Sequence, residues 1–388
     1  MRPIFEDTAT AFALKTDSEL ERAYFLFKMI ANEPLVRIGT AMTNFALKAN
    51  LPVEGLIRAT VFDHFCGGVN EDDCMPLIDT LYEKGVSAVL DYSVEGKKEE
   101  AQFDFSLQKA METLSFVKEK QAIPFAVFKP TSFGRIDLYE KVGNKENLNP
   151  QETGEWQRIV DRYEAICKKA YDMDVGLLID AEESWMQDAA DKLILEMMRK
   201  YNKAKAIIFN TIQTYRWDRL DYMKKIKAVA AAEGFKIGVK IVRGAYMEKE
   251  NDRAEENGYP TPICASKQET DDNFNAVVAY AMEHLEVISI FAGTHNEEST
   301  YKLMELMKTQ GIENADSRVW FGQLYGMSDH ISFNLSHQGY NIAKYLPYGP
   351  VKDVMPYLIR RAEENTSVAG QTNRELELLK KERKRRKI

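Results

Sequence analysis

The feature that most constrains how this chain can fold is an alternation. Short apolar runs rich in β-branched and aromatic residues are separated by longer stretches with the spacing of amphipathic helices. The strand-like runs fall at 57–62, 87–90, 125–128, 175–179, 206–209, 237–242, 288–291 and 319–322, and helical patterns at 74–84, 103–120, 153–171, 185–200, 219–233, 270–283 and 298–310. The helix that follows the eighth run carries Arg360 and Arg361. Strands alternating with helices of this length imply a parallel sheet with crossover connections. Eight such units are the number that closes a (β/α)8 barrel. An open doubly wound sheet is the competing architecture, but the Gly-x-Gly-x-x-Gly turn after its first strand is missing. Neither a P-loop nor a His-Glu-x-x-His motif is present.

Residues 1–55 read as an N-terminal helical segment, in which Ser18 and Glu21 have the spacing of a capping box. Residues 56–370 make the barrel and residues 371–388 a helical, basic C-terminal tail. No stretch approaches the roughly 20 apolar residues of a membrane helix. The net charge of −8 argues against wholesale nucleic-acid binding. The first residues hold neither a signal-peptide core nor the acid-poor pattern of a transit peptide. Cys66, Cys74, Cys167 and Cys264 form no Cys-x-x-Cys pair, which indicates neither a zinc cage nor a redox dithiol. The expected location is cytoplasmic. In the tail, seven basic residues between 380 and 387 surround the single acid Glu382; the segment sums to +6, so with a net charge of −8 the rest of the chain carries −14. The favoured reading is a frayed, solvated helix end. The other is an electrostatic tether, peripheral to the inner membrane, at about 1 kcal/mol per basic residue.

In a (β/α)8 barrel the chemistry gathers at the C-terminal ends of the strands. Those positions read Asp63-His64, Asp91, Lys129-Pro-Thr131, Asp180-Ala-Glu182-Glu183, Gln213, Lys240 with Arg243-Gly244-Ala245-Tyr246, Thr294-His295-Asn296 and Gln323-Leu324-Tyr325. Chargeable groups there are costly to bury unpaired, so the pattern belongs to a site more than to a bare scaffold. Taken singly, each keeps a plainer reading. Asp180 or Lys129 also suits a buried structural ion pair. His295 suits a hydrogen-bonded histidine better than a metal ligand, and no metal is expected, since no three ligands of known spacing assemble. Lys240 would point into the barrel mouth, where a cation could stabilise the N1–N5 region of a reduced flavin. Gly244 and Ala245 let a flat or phosphorylated ligand approach the backbone, or Gly244 simply permits a turn.

A turn punctuated by Pro347, Gly349 and Pro350 leads into the arginine helix. On that helix Tyr357 shares a surface sector with Arg360 and Arg361, and Arg360 with Glu364. Adjacent arginines repel unless an anion or carboxylates sit between them, and the guanidinium fork matches a carboxylate two-pronged. The arrangement suits a small carboxylic acid with an apolar body. Arginines paired to acids on a solvated face are the plainer alternative.

Eight segments in order carry a more specific signal: Phe128-Lys-Pro, Ile179-Asp-Ala-Glu-Glu-Ser, Ile212-Gln-Thr-Tyr, Val239-Lys-Ile-Val-Arg-Gly-Ala-Tyr, Gly293-Thr-His-Asn, Gly322-Gln-Leu-Tyr-Gly-Met, Tyr345-Leu-Pro-Tyr-Gly and Tyr357-Leu-Ile-Arg-Arg-Ala-Glu-Glu-Asn. From about residue 62 to residue 367 the chain resembles the proline dehydrogenase family, the flavin-dependent first enzymes of proline catabolism. The resemblance implies a distorted (β/α)8 TIM-type barrel with a final helix over the barrel mouth, and FAD as cofactor. It implies oxidation of L-proline by hydride transfer from C5 to the flavin, giving Δ1-pyrroline-5-carboxylate, with electrons passed to a quinone or other acceptor.

Carried over residue by residue, Arg360, Arg361 and Lys129 would hold the proline carboxylate. Tyr246, Leu324, Tyr345 and Tyr357 would enclose the ring, and Asp180 would organise the polar side. Lys240 would sit near flavin N5, with Gln213, Val242, Gly244, Ala245, Thr294, His295 and Asn296 along the FAD and Lys267 and Thr270 at its adenosine half. Family members with an acid on the first strand pair it with the first arginine when no substrate is bound, and here that acid would be Asp63. The bifunctional members add an aldehyde dehydrogenase module, for which this chain is too short, so a monofunctional enzyme is expected. Two rivals stand beside this reading: hydroxyproline oxidation on the same scaffold, disfavoured by Tyr345 crowding C4, and a Schiff-base lyase using Lys129 or Lys240.

Overall fold

Eight strands close into a barrel in the sequential order β1 to β8. They are β1 (Ser87–Tyr92), β2 (Phe125–Phe128), β3 (Gly176–Ile179), β4 (Ile208–Gln213), β5 (Ile237–Val242), β6 (Ile288–Gly293), β7 (Val319–Leu324) and β8 (Ile342–Tyr348). The computed structural model describes residues 3–32, 34, 39, 54–93, 99–367 and 369–388. The helices used below are α1 (Asp17–Ile30), α2 (Glu71–Tyr82), α3 (Glu100–Val117), α4 (Ile136–Gly143), α5 (Pro150–Met173), α6 (Ser184–Tyr201), α7 (Arg219–Glu233), α8 (Met247–Asn257), α9 (Lys267–Glu283), α10 (Glu297–Thr309), α11 (Asp329–His337), α12 (Met355–Ser367) and α13 (Ala369–Arg386). Strand pairing is parallel wherever the register is defined, from Ser87 opposite Ala343 to Ile241 opposite Ala292. Such strands are covered on both faces, which is why they read as continuous apolar runs.

The (β/α)8 fold expected from the sequence is therefore present, with one displacement in its strand count. The run at 57–62 is not a strand. Glu54–Ile57 is α-helical and Arg58–Phe62 continues it as a π-type segment. At the five-residue repeat of such a turn, Ile57 and Phe62 both reach the core. The missing strand is β8, which Pro347 and the Gly349-Pro350 that follows it disguise as a turn. All seven of its residues are buried, and the Pro347 carbonyl accepts the Gly67 N–H at 2.9 Å. The arginine helix still follows the eighth strand.

The chain forms two compact units, Met1–Glu95 with Gly322–Ile388, and Gly96–Phe321. In the second, Phe125 of β2 meets Phe209 of β4 and Phe291 of β6 edge-on, with ring centroids 5.5 and 5.4 Å apart, and Trp320 of β7 at 5.2 Å. Contacts between non-adjacent strands can form only across the barrel interior, so the three phenylalanines fill it as a layer drawn from alternate strands, with Trp320 against Phe125. Glycine makes room for them. A Cβ on Gly176 would lie 2.4 Å from the Phe125 ring, and one on Gly238 2.6 Å from Phe209.

In the first unit the N-terminal segment and the C-terminal helix hold each other. The capping box of α1 is built by Thr16 and Glu19 rather than by Ser18 and Glu21: the Thr16 N–H donates to Glu19 at 2.8 Å. Phe12, Leu20, Ala23 and Phe27 bury Leu378 and Leu379 of α13. Each of those leucines contributes about 1.5–3 kcal/mol by burial. The tail is accordingly not a frayed end. Lys381 bonds Glu6 at 2.7 Å, Arg383 bonds Glu21 at 2.5 Å, and Arg386 reaches Asp17 at 3.0 Å. Glu382 is 0% exposed between Arg385 and Arg386, each at 2.7 Å. Lys380, Lys384 and Lys387 stay exposed. Helix α12 lies on the same unit, with Met355, Tyr357 and Leu358 packed among Ile30, Phe62, Phe65 and Val354.

Candidate active site

Within the second unit, polar side chains collect where β2 to β6 end. Lys240 of β5 is 6% exposed and donates to Asp180, the residue after β3. Both strands pair with β4, so this ion pair crosses the barrel interior above Thr211. The ion pair that the sequence allowed for Asp180 is thus made with Lys240. Gln213, the last residue of β4, donates to the Glu182 carbonyl at 3.0 Å. Lys129 caps a short turn at Pro130–Ser132 and is half-buried.

Along β5 and β6, Val242 is half-buried and Gly244 and Ala245 are exposed, so their backbone is approachable. The glycine itself has a second reason to be there. Gly244 has φ +135°, and a Cβ on it would lie 2.6 Å from the Tyr215 ring. Tyr246 precedes α8 and is half-buried. Thr294 is buried, His295 half-buried, and Asn296 caps α10 by accepting the Ser299 N–H at 2.9 Å. Sequence reading named Arg243 among the strand ends but gave no role to it, although it ties this corner together. Arg243 donates to Thr294 at 2.8 Å, Ser299 at 3.0 Å and Asp271 at 2.7 Å. Its signal was its place in the Val-Arg-Gly-Ala-Tyr run. Lys267 is committed to Asp271 at 2.6 Å, and the Thr270 hydroxyl to the Ser266 carbonyl at 3.3 Å, so both serve the start of α9.

Within the first unit, Tyr345 lies on β8 opposite Val89, and its carbonyl accepts the Tyr325 N–H at 2.8 Å. It belongs to a strand and not to a proline-stiffened turn. On α12, Tyr357 and Arg361 are both buried, with the guanidinium 5.1 Å from the ring centroid, and Arg360 is half-buried. Leu324 ends β7 and is partly buried. Asp63 lies in a three-residue helix, exposed, 3.7 Å from Arg58. It is not on a strand; the acid near the end of β1 is Asp91, buried and bonded by Ser93 at 2.9 Å.

The same unit holds a buried charge group outside this set. Asp329 at the start of α11 meets Lys344 at 2.9 Å and Lys15 at 3.2 Å. Burial would raise the Asp329 carboxyl, but the two ammonium groups prevail and hold it well below the usual carboxylate range. Among the described residues no group of three His, Cys, Asp or Glu could hold a metal ion, and no helix is long and apolar enough to cross a membrane.

The family described as proline dehydrogenase matches residues 74–374. Over 364 residues the chain is 36% identical to the carbapenem antibiotics biosynthesis protein CarD of Pectobacterium carotovorum subsp. carotovorum, covering 93% of this chain and 94% of that protein. It is 30% identical to proline dehydrogenase 1, mitochondrial, of Arabidopsis thaliana, over 98% of this chain and 86% of that one. The human proline dehydrogenase 1, mitochondrial, is 42% identical over 225 residues, which is 57% of this chain but 38% of the human protein. Proline utilization A (PutA) of Bdellovibrio bacteriovorus, in a crystal structure inactivated by N-propargylglycine, has the same fold at a TM-score of 0.72 and 21% identity, over 94% of this chain and 37% of that one. By the family match across most of its length, this chain belongs to the proline dehydrogenase family of oxidoreductases.

Proposed function

We propose that this enzyme oxidises L-proline to Δ1-pyrroline-5-carboxylate with FAD as cofactor, and that its electrons leave to a quinone. The observation that carries the reading is the buried Lys240–Asp180 pair among polar strand ends, inside a barrel of this family. The donor set suits a flavin. Lys240, Gln213 and Thr294 are buried polar groups, Gly244 and Ala245 leave backbone approachable, and Arg216 keeps a buried Nη1 with no partner among the described residues. Lys240 and Gln213 would hold the ring, with Val242, Gly244, Ala245, Thr294, His295 and Asn296 along the rest. Lys267 and Thr270 remain assigned to the adenosine half. When bound, FAD supplies the hydride acceptor.

The protein's part is positioning. Arg360, Arg361 and Lys129 are assigned to the carboxylate, where charge-assisted forks fix one end of the ring. Tyr246, Leu324, Tyr345 and Tyr357 are assigned to the ring itself, and Asp180 to the polar side. Holding the C5–H in one orientation converts binding free energy into rate.

The competing substrate is hydroxyproline, and the fixed place of Tyr345 on β8 supports proline. A non-flavin lyase using Lys240 is disfavoured because its amine is engaged by the Asp180 carboxylate. The near full-length similarity to a protein named for carbapenem biosynthesis supplies a second setting for the same chemistry. Growth on proline as sole nitrogen source, with and without the gene, separates a catabolic from a biosynthetic setting. Purified protein should be yellow, and L-proline should drive reduction of a soluble dye with formation of the cyclic imine. Colourless protein, or no proline-dependent turnover by yellow protein, would sink the proposal. The exposed Lys380, Lys384 and Lys387 are what the tail retains for an anionic lipid surface.

A further inference from the structure

Glu182 is an acid that no role above uses, yet it joins three strand ends. It lies two residues beyond Asp180 and is 6% exposed. Its two carboxyl oxygens accept from the Thr131 N–H at 2.8 Å and the Thr131 hydroxyl at 2.6 Å. Its own N–H donates to Gln187 at 3.1 Å, and its carbonyl accepts from Gln213 at 3.0 Å. Thr131 is the centre of the turn that begins at Lys129. That turn is closed by the Ser132 N–H donating to the Lys129 carbonyl at 2.9 Å and by Tyr139 donating to the Pro130 carbonyl at 3.0 Å.

We propose that Glu182 is a positioning residue: through its two-pronged hold on Thr131 it fixes the turn that aims Lys129 at a carboxylate ligand. The inference rests on the assignment of Lys129 to the proline carboxylate. A turn held only by its own backbone bonds could move by a fraction of an ångström, and a misplaced charge-assisted contact loses much of its strength. Backbone attachment through Gln187 and Gln213 fixes Glu182 itself, so the clamp has a rigid base.

The chemistry of the clamp predicts which substitution it tolerates. Burial pushes the Glu182 carboxyl up to about 7, offset by its bonds from Thr131, raised further by Glu183 and opposed by Lys129. Near neutrality either form of the acid can link to the same two Thr131 groups, with the hydroxyl bond reversed in direction between them. In the protonated form the carbonyl oxygen accepts the Thr131 N–H while the carboxyl O–H donates to the Thr131 hydroxyl. A glutamine repeats this pattern, with its oxygen accepting and its amide N–H donating. Alanine makes neither bond.

The test is a comparison of Glu182→Gln, Glu182→Ala and Thr131→Val as flavin-loaded proteins. Glu182→Ala should raise KM for L-proline at least about tenfold, the scale of one lost charge-assisted bond, with kcat and flavin content little changed. Glu182→Gln should stay within about threefold of wild type, and Thr131→Val, which keeps the N–H but loses the hydroxyl, should fall between. A wild-type KM in Glu182→Ala, equal impairment in Gln and Ala, or a parallel loss of flavin and kcat would each overturn the proposal. Hydrogen exchange at the Thr131 amide reads the clamp without substrate, and should speed up in Glu182→Ala but not in Glu182→Gln. If wild type fails to oxidise proline, the functional reading fails while the exchange result still decides the clamp; unchanged exchange in Glu182→Ala refutes it.

Discussion

Replacing Lys240 by methionine separates its ion pair with Asp180 from the role proposed for it at the flavin. Lys240 is 6% exposed and its partner Asp180 half-buried. Removing one member of a buried pair costs about 3–5 kcal/mol, because the other charge is left uncompensated. Since Asp180 keeps some solvent contact, the lower figure of about 3 kcal/mol applies. Unfolding entropy near 2.1 cal/mol/K per residue gives roughly 0.8 kcal/mol/K for a chain of 388 residues. The substitution should therefore lower Tm by about 4 °C. Adding Asp180→Asn removes the stranded charge and should recover most of that loss. The cofactor role would not recover. A cation near the flavin stabilises its reduced, anionic form, so both Lys240→Met and the double variant should show a more negative flavin midpoint potential or less flavin per protein. Thermal unfolding of the flavin-free proteins gives the first quantity, and absorption with redox titration of the loaded proteins gives the second. A double variant with wild-type Tm, potential and flavin content would show that Lys240 is only a structural partner of Asp180, and the assignment to the flavin would be wrong.

Further outcomes follow from the other groups. Arg361→Met should raise KM for proline by roughly thirty- to several-hundredfold, as a lost buried charge-assisted contact of about 2–4 kcal/mol implies, with flavin retained; steady-state kinetics check it, and an unchanged KM contradicts it. Truncation after Leu379 removes Glu382, Arg383 and Arg386 from their places against the N-terminal helices, so calorimetry should find a lower Tm, and an unchanged Tm would mean those contacts do not hold α13. The Asp329 carboxyl is held below its unfolded value, so its contribution is full above about pH 4 and is lost as the solution is acidified through the folded value. Asp329→Asn should thus be most destabilising near neutrality and converge on wild type in strong acid, as urea titrations at several pH values would report. Tyr345→Ser should narrow a preference for proline over trans-4-hydroxyproline of at least about tenfold, since crowding an added hydroxyl costs about 1–3 kcal/mol; the ratio of kcat/KM for the two substrates decides it.

How much of this was legible in the sequence varies with the kind of signal. Runs such as 125–128 and 237–242 are buried on both faces, and burial writes itself as uninterrupted apolar sequence. The two strand errors share one cause: composition was overridden by tertiary context. The 57–62 run is β-rich but winds as a π-type segment because Ile57 and Phe62 serve the core under α12. β8 contains Pro347 and a fully buried lysine, Lys344, whose charge is met by Asp329 at 2.9 Å and by the Met327 carbonyl. Asp329 is fifteen residues distant and has no local signature. Local rules also misjudged the tail, whose basic residues answer acids more than 350 positions away, as Arg383 does Glu21. Asp180 and Lys240 were legible as strand-end charges, but their mutual pairing required the closed sheet. Arg243 was in view and passed over because its partners are distant along the chain: Asp271 on α9, and Thr294 and Ser299 beyond β6.

The central claim, that hydride leaves C5 of proline for a bound flavin, is most directly tested by anaerobic mixing of the flavin-loaded enzyme with L-proline carrying deuterium at C5 or at C2, following the loss of flavin colour. Proline should reduce the flavin fully in a single turnover, slowed by deuterium at C5 and not by deuterium at C2. No bleaching, or slowing by C2 deuteration alone, would contradict it.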